Sequence, residues 1–255
     1  MTQDICYDVK FHHQILPGVF RTFFSWSQDA CKPLPGQFVQ IEASQGLFPL
    51  TRRPFTVNRT TSEGFEVVFD VVGRGTAILS DIRKGSSVRI LGPLGKGWKT
   101  AQPGEWLLIG GGLGVAGFQY LIDTVPCRRV VVGASSRDRL LPLECSCDLL
   151  VATEDGSCGT RGLVTDILTE KTVSEADHIA LCGPVAMMHA VWNRIPVEYR
   201  SRVQVSTESR MGCGWGVCEG CSIPVVGNEY RKCCADGPVF PGEFIDWERW
   251  KEAGL

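Results

Sequence analysis

The sequence predicts a multidomain fold with three parts: an antiparallel β-barrel, an α/β domain built on a parallel sheet, and a small cysteine-rich C-terminal domain. Short apolar strands separated by Gly, Pro and Ser fill the N-terminal part, which is typical of a barrel. Apolar strands then alternate with helical segments, which indicates a parallel sheet covered by helices. Five of the 12 cysteines lie close together near the C-terminus. We place the domains at residues 1–100, 101–200 and 201–255.

The individual elements follow from apolar periodicity and from the turn residues between them. The barrel strands are predicted at residues 36–42, 64–72 and 87–91, and the turn-rich stretch 92–98 closes this domain. In the α/β domain we predict strands at 106–110, 129–134, 148–153 and 178–182, and helices at 115–122, 161–170 and 185–191. A further strand at 202–207 precedes the cysteine cluster.

Composition excludes several functional classes. The formal net charge of −2 gives no electrostatic reason to expect a nucleic acid or an anionic membrane as partner. No apolar run approaches the roughly 20 residues that cross a bilayer, and the N-terminus lacks the pattern of a signal peptide. We therefore expect a cytoplasmic protein with reduced thiols, in which clustered cysteines bind metal rather than form disulfides.

The cysteine cluster has the spacing of an iron–sulfur site. Cys213, Cys218 and Cys221 follow the pattern C-x₄-C-x₂-C, which is typical of plant-type [2Fe–2S] clusters with a distant fourth ligand. Alternate glycines let the loop bend tightly around a cluster, whereas zinc sites more often use paired C-x₂-C spacings. Spacing leaves two candidates for the fourth ligand, Cys233 and Cys234.

Two segments of the predicted barrel carry phosphate-binding chemistry. Arg53 and Thr56 lie on one predicted strand, where Arg53 shares a face with Phe55 and Thr56 shares the other with Pro54. An arginine can clamp a pyrophosphate, and a threonine hydroxyl can bind flavin or phosphate. The Gly-Arg-Gly-Thr turn at 73–76 precedes a short helix and offers backbone N–H groups to a phosphate. Each motif alone is also compatible with an ordinary strand end or turn.

The predicted sheet adds a nucleotide-binding pattern. Residues 110–116 read Gly-Gly-Gly-Leu-Gly-Val-Ala between a strand and a helix, where a dinucleotide can approach the backbone. Cys182 ends a later strand at the edge where such sheets bind ligands. No Ser–His–Asp triad, carboxylate pair or histidine metal motif stands out. We therefore predict no catalytic side chain and expect the chemistry to belong to cofactors.

These motifs occur together in one order. Arg-Pro-Phe-Thr at 53–56 is followed by Gly-Arg-Gly-Thr at 73–76, Gly-Pro-Leu-Gly-Lys-Gly-Trp at 92–98, the glycine-rich loop at 110–116, Cys-Gly-Pro at 182–184, the cysteine cluster, and Asp-Gly-Pro-Val-Phe at 236–240. The combination resembles the electron-transfer subunit of B-type dihydroorotate dehydrogenases, in the ferredoxin reductase-like superfamily, over nearly the whole chain.

The resemblance implies a flavin-binding barrel, a nucleotide-binding α/β domain and a [2Fe–2S] domain. It favours Cys234 over Cys233 as the fourth cluster ligand, beside Cys213, Cys218 and Cys221. It implies that NAD contacts come from Gly111, Gly112, Gly114 and Cys182. The implied FAD contacts are Arg53, Pro54, Phe55, Thr56, Val68, Phe69, Asp70, Gly75 and Thr76.

The resemblance also implies a function in pyrimidine biosynthesis. In this family an FMN-containing catalytic subunit oxidises dihydroorotate, and electrons then pass through the [2Fe–2S] cluster and FAD to NAD⁺. This chain would be an NAD(P)-linked flavoprotein oxidoreductase subunit that does not itself oxidise dihydroorotate. The implied complex is a heterotetramer of two such chains and two catalytic chains.

Several alternatives stay open at the level of sequence. The same relay could serve sulfite reductase, hydrogenase or a bifurcating transhydrogenase, although relatives of the last kind tend to replace the first cluster cysteine with a carboxylate. A redox sensor and a zinc-stabilised interaction module are less favoured. Residues 134–139 supply hydroxyls and two arginines, which can hold the 2′-phosphate of NADP, so the choice between NAD and NADP stays open. Trp215 also departs from the smaller aliphatic residue that the family usually has there.

Overall fold

The N-terminal part is a barrel of six antiparallel strands in this computed structural model, which describes residues 2–44, 46 and 48–252. The strands are β1 (Gln3–Leu16), β2 (Val19–Ser25), β3 (Phe38–Ile41), β4 (Arg53–Thr60), β5 (Gly64–Asp70) and β6 (Ser87–Leu94). They follow the closed order β1-β2-β5-β4-β3-β6, which leaves no free edge. The helix α1 (Arg74–Ser80) follows β5. The predicted antiparallel barrel is confirmed.

Alternation of side chains fills the barrel interior. Along β1, Tyr7 and Val9 are buried while Cys6, Asp8 and Lys10 are exposed. The strand period of two sends every second side chain inward. The inner residues meet buried aromatic and aliphatic side chains from the other strands, and this apolar contact holds the barrel together.

The second part is a sheet of seven strands. The remaining strands of the described chain are β7 (Trp106–Gly111), β8 (Cys127–Ala134), β9 (Asp148–Thr153), β10 (Thr160–Arg161), β11 (His178–Cys182), β12 (Val203–Ser206), β13 (Ser222–Val225), β14 (Glu229–Lys232) and β15 (Val239–Pro241). The sheet order is β10-β9-β8-β7-β11-β12-β15, and only β15 runs antiparallel to its neighbour. Every residue of the central strand β7 is buried, as expected when helices cover both faces.

Two predicted helices differ from the structure. The segment predicted as one helix at 161–170 forms α3 (Val164–Ile167) and α4 (Glu170–Ser174) instead. The break occurs because Leu168 is extended and the Thr169 side chain caps α4 by accepting a hydrogen bond from Thr172 N at 3.1 Å. The helix predicted at 115–122 begins as 3-10 turns over residues 112–117 and becomes α-helical only as α2 (Phe118–Ile122).

The C-terminal part contributes two strands to the seven-stranded sheet. Strands β12 and β15 both come from the predicted third domain, and both extend the seven-stranded sheet. The hairpin β13–β14 forms a separate two-stranded sheet beside the cysteine loop. The helices α5 (Val185–Arg194) and α6 (Trp247–Glu252) pack together through Trp192 and Trp247, whose rings stack at 5.5 Å. No helix in the described part of the chain is long and apolar enough to cross a membrane.

Two arginines form ion pairs that join the barrel to the parallel sheet domain. Arg59 of β4 donates to both carboxylate oxygens of Asp123 at 2.6 and 3.1 Å and to Glu144 at 2.7 Å. Arg139 pairs with Asp70 at the end of β5. A two-pronged arginine contact fixes orientation as well as distance, so these pairs help set how the two domains face each other.

We expect the substitution Arg59→Met to lower the thermal unfolding midpoint by about 2–4 °C, which corresponds to about 1 kcal/mol for a chain of this size. The side chain is 27% exposed and meets two carboxylates, so its loss removes the positive charge that pairs with Asp123 and Glu144. Differential scanning calorimetry measures the shift. The control is Arg128→Met, which breaks a more exposed pair with Glu105 inside the sheet domain and should shift the midpoint less. Strict additivity of Arg59→Met with Asp123→Asn would contradict a specific contact.

Candidate functional site

A cavity of about 390 Å³ lies where the barrel meets the sheet. Its walls combine barrel residues with residues of the glycine-rich loop and of the segment after β12. The lining residues are Phe38, Arg53, Pro54, Phe55, Thr56, Val68, Phe69, Asp70, Val72, Thr76, Leu113, Ala116, Thr207, Glu208, Ser209, Met211 and Pro238. Eight of the nine residues implied as FAD contacts are in this set, and Gly75 is the exception.

Arg53 is held at the cavity wall by its own turn. Its Nη1 donates to the Thr51 carbonyl oxygen at 2.6 Å and to Thr51 Oγ1 at 2.8 Å. The guanidinium packs over Gly75, where a β-carbon would collide with Arg53 Nε. Gly75 therefore acts behind the cavity wall by leaving space for Arg53. The side chain of Thr76 accepts from Val72 N at 3.0 Å and from Gly73 N at 3.1 Å, which shapes the same turn.

The two faces expected along β4 do not separate cavity-lining residues from the others. Pro54 and Thr56 line the cavity together with Arg53 and Phe55. All four are half-buried and are the first residues of the strand, where the barrel meets the cavity. Both faces of the strand therefore border the same cavity. Phe55 also packs on Phe69 with 5.2 Å between ring centroids, which gives the cavity an aromatic wall.

Sequence reasoning missed the segment that follows β12. Thr207, Glu208, Ser209 and Met211 line the cavity directly before the cysteine loop. Ser209 Oγ is buried and has no hydrogen-bond partner among the described residues. The sequence signal that could have found this segment is its position directly after a predicted strand, because ligands bind beyond the carboxyl ends of parallel strands.

A second cavity, of about 450 Å³, lies at the carboxyl edge of the sheet. Gly111 and Gly112 line it, and Gly112 has a φ of +55°, which favours glycine. The acidic residue Glu154 also lines this cavity. The other lining residues are Gly133, Ala134, Ser135, Arg139, Gly162, Leu163, Val164, Thr165, Pro184, Ala186, Met187 and Ala190.

Two residues implied as NAD contacts lie behind this cavity. A β-carbon at Gly114 would lie 2.7 Å from Gly183 Cα, so Gly114 permits close packing of the glycine-rich loop on the turn after β11. Cys182 is buried at the end of β11, and burial raises the pKa of its thiol. Neither residue lines either cavity.

The two arginines considered for a 2′-phosphate differ in their surroundings. Arg139 lines the second cavity, but it pairs with Asp70 and donates to the Pro17 carbonyl at 3.2 Å. Arg137 is exposed and is not among the lining residues. Since Asp70 belongs to the first cavity, the Arg139–Asp70 pair marks the boundary between the two cavities.

The cysteine loop contacts the hairpin β13–β14 through Lys232 Nζ, which donates to the Gly216 carbonyl at 3.0 Å, but no three Cys, His, Asp or Glu side chains of the described residues are grouped closely enough to hold a metal ion. Cys213 Sγ accepts hydrogen bonds from Val217 N at 3.4 Å and Cys218 N at 3.5 Å. Partial burial raises the pKa of the Cys213 thiol, but the backbone N–H groups of Cys218, Trp215 and Val217 outweigh burial and lower that pKa to about 6. The loop thus favours the thiolate that a metal requires. A β-carbon at Gly212 would lie 3.3 Å from Cys218 Sγ, so the backbone passes close to that thiol.

The two adjacent cysteines of the hairpin end point in different directions. Cys234 Sγ lies 3.2 Å from Cys221 Sγ, and Cys234 N donates to Cys221 Sγ at 3.4 Å. Cys233 is fully buried, and its thiol lies 3.3 Å from both the carbonyl oxygen and the hydroxyl of Thr207. The thiol of Cys234 therefore faces the cysteine loop, and that of Cys233 faces the strand β12.

Comparison with known proteins identifies the C-terminal region. Residues 208–246 match the family model described as the iron–sulfur cluster binding domain of dihydroorotate dehydrogenase B. The matched range begins at the cavity-lining segment and includes all five clustered cysteines. The match therefore covers both the segment that sequence reasoning missed and the loop that it predicted.

Whole-chain relatives extend this result. A protein of Caldanaerobacter subterraneus subsp. tengcongensis, named dihydroorotate dehydrogenase B (NAD(+)), electron transfer subunit, is 34% identical over 93% of this chain and 96% of its own length. A protein of the same name from Bacillus cereus strain Q1 is 36% identical over 83% of this chain and 86% of its own length.

A solved structure agrees on the fold. The NADH-dependent reduced ferredoxin-NADP oxidoreductase, studied for flavin-based electron bifurcation, contains a chain with a TM-score of 0.83 and 28% identity. The alignment covers 97% of this chain and 92% of that chain. Since the sequence relatives match along almost their entire length and at more than 30% identity, this chain belongs to the family of dihydroorotate dehydrogenase B electron transfer subunits.

Proposed function

We propose that this chain carries electrons between the catalytic subunit of a B-type dihydroorotate dehydrogenase and NAD. The observation that supports it most is the direct continuity of the sites. Four residues of the segment 207–211 line the first cavity, and this segment runs without interruption into Cys213, the first cysteine of the loop. A chain that binds a flavin in this cavity therefore holds it next to the cysteine loop. When bound, FAD and a [2Fe–2S] cluster interconvert two-electron and one-electron transfer.

FAD fits the first cavity by the chemistry of the lining. Arg53 supplies a guanidinium suited to a pyrophosphate, and Phe55 and Phe69 supply apolar surface for a ring system. The hydroxyl of Ser209, which has no partner among the described residues, offers a hydrogen bond to a bound flavin. We assign Pro54, Thr56, Val68, Asp70 and Thr76 to the same site, with Gly75 supporting Arg53 from behind.

The proposed cluster ligands are Cys213, Cys218, Cys221 and Cys234. Four thiols with neighbouring backbone N–H donors match the chemistry of iron–sulfur ligation. The close approach of Cys234 to Cys221 supports Cys234 over Cys233. Exposed Trp215 and Val217 on the loop, at 61% and 76%, offer apolar surface to a partner subunit.

The second cavity supports NAD rather than NADP. The carboxylate of Glu154 can accept hydrogen bonds from ribose hydroxyls and repels a 2′-phosphate. Arg139 is engaged by Asp70, so its charge is already compensated. We assign Gly111 and Gly112 to nucleotide contact, with Gly114 and Cys182 supporting the loop from behind.

The assembly is the remaining part of the proposal. We propose a cytoplasmic heterotetramer of two such chains and two FMN-containing catalytic chains. We also propose domains at residues 1–100, 101–200 and 201–255. Strands β12 and β15 of the third domain extend the sheet of the second. The test mixes this chain with the catalytic subunit from the same source. NADH should form from NAD⁺ and dihydroorotate only when both are present, and NADH formation by the catalytic subunit alone would contradict the proposed role.

A second candidate is the same relay in an electron-bifurcating complex, which the structural similarity to the NADH-dependent reduced ferredoxin-NADP oxidoreductase supports. The first cluster position favours the dihydroorotate partner, because Cys213 occupies it here rather than a carboxylate. Size-exclusion chromatography with each purified catalytic partner separates the two candidates. Co-elution with a ferredoxin-reducing subunit, and none with the dihydroorotate-oxidising subunit, would favour the second.

Cys234→Ala should remove the cluster, whereas Cys233→Ala should retain it, because only the thiol of Cys234 faces Cys221. Iron analysis and visible absorbance of the purified variants measure this, and Cys218→Ala should behave like Cys234→Ala. The adjacent position makes Cys233→Ala a matched control for the loss of one thiol. Iron loss in Cys233→Ala with retention in Cys234→Ala would reverse the assignment.

Arg53→Ala should raise the Kd for FAD at least about tenfold, since a hydrogen bond to a charged group contributes about 1.5–3 kcal/mol and 1.4 kcal/mol is tenfold. Flavin fluorescence during titration of the deflavinated protein gives the Kd. The neighbouring variant Arg52→Ala is the control, because Arg52 pairs with Asp4 at 2.9 and 3.0 Å and does not line the cavity. Equal effects of both substitutions would argue against a pyrophosphate contact at Arg53.

Glu154→Gln should raise kcat/KM for NADPH relative to NADH about tenfold, because it removes a charge that repels the 2′-phosphate. Steady-state reduction of an artificial acceptor by each nucleotide measures the ratio. Asp155→Asn serves as the control, since Asp155 binds Ser157 at 2.6 Å and does not line the cavity. An unchanged ratio in Glu154→Gln would contradict a role in selecting NAD.

A further inference from the structure

A buried glutamine of the barrel lies against the cysteine loop without a hydrogen-bond partner. Gln40 is on β3 and is fully buried. Neither Nε2 nor Oε1 of its side chain has a partner in the described part of the chain. An amide removed from water without replacement hydrogen bonds costs several kcal/mol, roughly 2–7 depending on the reference state, so such a group is rare in a folded protein.

The Gln40 amide touches the loop at the residue next to Cys213. A β-carbon at Gly214 would lie 2.6 Å from Gln40 Nε2 and 2.8 Å from Gln40 Cγ. Gly214 has a φ of +82°, so the loop turns there in a conformation that favours glycine. The loop thus rests directly on the amide, and no side chain separates them.

The same strand borders the first cavity. Gln40 pairs in register with Pro54 of β4, and Pro54 lines that cavity. Gln40 therefore lies between the wall of the proposed flavin site and the proposed cluster loop. A donor in this position can act on the cluster, because hydrogen bonds to its sulfur atoms are among the factors that set its reduction potential.

We propose that the Gln40 side-chain amide donates a hydrogen bond to the sulfur atoms at the Cys213 end of the bound [2Fe–2S] cluster and raises its reduction potential. This inference rests on the proposed ligand set. The reduced cluster carries one more negative charge than the oxidised cluster, so an N–H donor stabilises the reduced form more. The hydrogen-bond donors that the structure shows at Cys213 Sγ are the backbone N–H groups of Val217 and Cys218. Only proline would remove these N–H groups, and it would also constrain the loop backbone, whereas the Gln40 side chain can be replaced without that change.

The test compares the intact protein with Q40M. Methionine keeps the length of the side chain and removes both amide atoms, and replacing an unpaired buried polar group with an apolar one is compatible with folding. A redox titration followed by electron paramagnetic resonance should show a more negative cluster potential in Q40M. We expect about a tenfold lower ratio of reduced to oxidised cluster at a fixed solution potential, which is about 59 mV for one electron.

A second buried glutamine provides the matched control. Gln119 in α2 is also buried, but its amide nitrogen donates to Asp123 and to the Glu144 carbonyl at 3.0 Å each. Q119M should leave the cluster potential unchanged. An equal potential shift in Q119M and Q40M would overturn the inference, because it would reflect general loosening.

Resonance Raman spectroscopy tests the hydrogen bond itself rather than the reduction potential. Resonance Raman spectra in H₂O and D₂O detect exchangeable hydrogen bonds to cluster sulfur, and the isotope shift should be larger in the wild type than in Q40M. If Q40M had full iron content, the wild-type cluster potential and the wild-type isotope shift, the role of Gln40 would be overturned while the ligand set would stand. A wild-type protein that assembles no cluster would overturn the ligand set as well, so the two failures are distinguishable.

Discussion

A small group of backbone hydrogen bonds between the end of the barrel and the C-terminal segment holds the three parts of the molecule together. Lys96, just after the last barrel strand, donates to the Gly237 carbonyl at 2.5 Å, and its own carbonyl accepts from Val239 N at 3.4 Å. Thr207 N in turn donates to the Pro238 carbonyl at 2.9 Å. The end of the barrel, the last sheet strand and the start of the cysteine loop thus meet at one point. Because backbone groups make these contacts, they are largely independent of side-chain identity.

The positions of the two cavities and of the cysteine loop follow from these backbone hydrogen bonds. Thr207 and Pro238 both line the first cavity, so the contact that joins the parts also builds its wall. The glycine-rich loop serves both cavities, because Gly111 and Gly112 border the second while Leu113 and Ala116 border the first. One continuous stretch of chain therefore places a nucleotide site beside a flavin site, and the residues after β12 place the flavin site beside the cysteine loop. A relay needs this adjacency, since electrons and hydride move only over short distances.

Local pattern predicted the elements and motifs well where one short segment carried the signal. The apolar strand predicted at 64–72, which forms β5, the apolar run of β7 and the cysteine spacing each act within a few residues, so the sequence was sufficient for the barrel, the parallel sheet and the cysteine loop. It was insufficient where contact depends on chain folding. Glu208 and Ser209 carry no motif and line a cavity only because β12 joins the sheet beside β11. Gln40 is one more strand residue in the sequence, and its contact with Gly214 arises from two segments separated by more than 170 positions. Thr169 ended a predicted helix through a cap that periodicity does not reveal.

The central claim is that this one chain links a nicotinamide nucleotide to a flavin and an iron–sulfur cluster. The most direct test is anaerobic titration of the purified chain with NADH and then NADPH, after iron and flavin have been quantified, with visible absorbance recorded throughout. The account predicts about two irons and one FAD per chain, rapid loss of flavin absorbance with NADH followed by bleaching of the cluster, and a much weaker response to NADPH. Unchanged absorbance with either nucleotide, in protein that contains both iron and FAD, would contradict it.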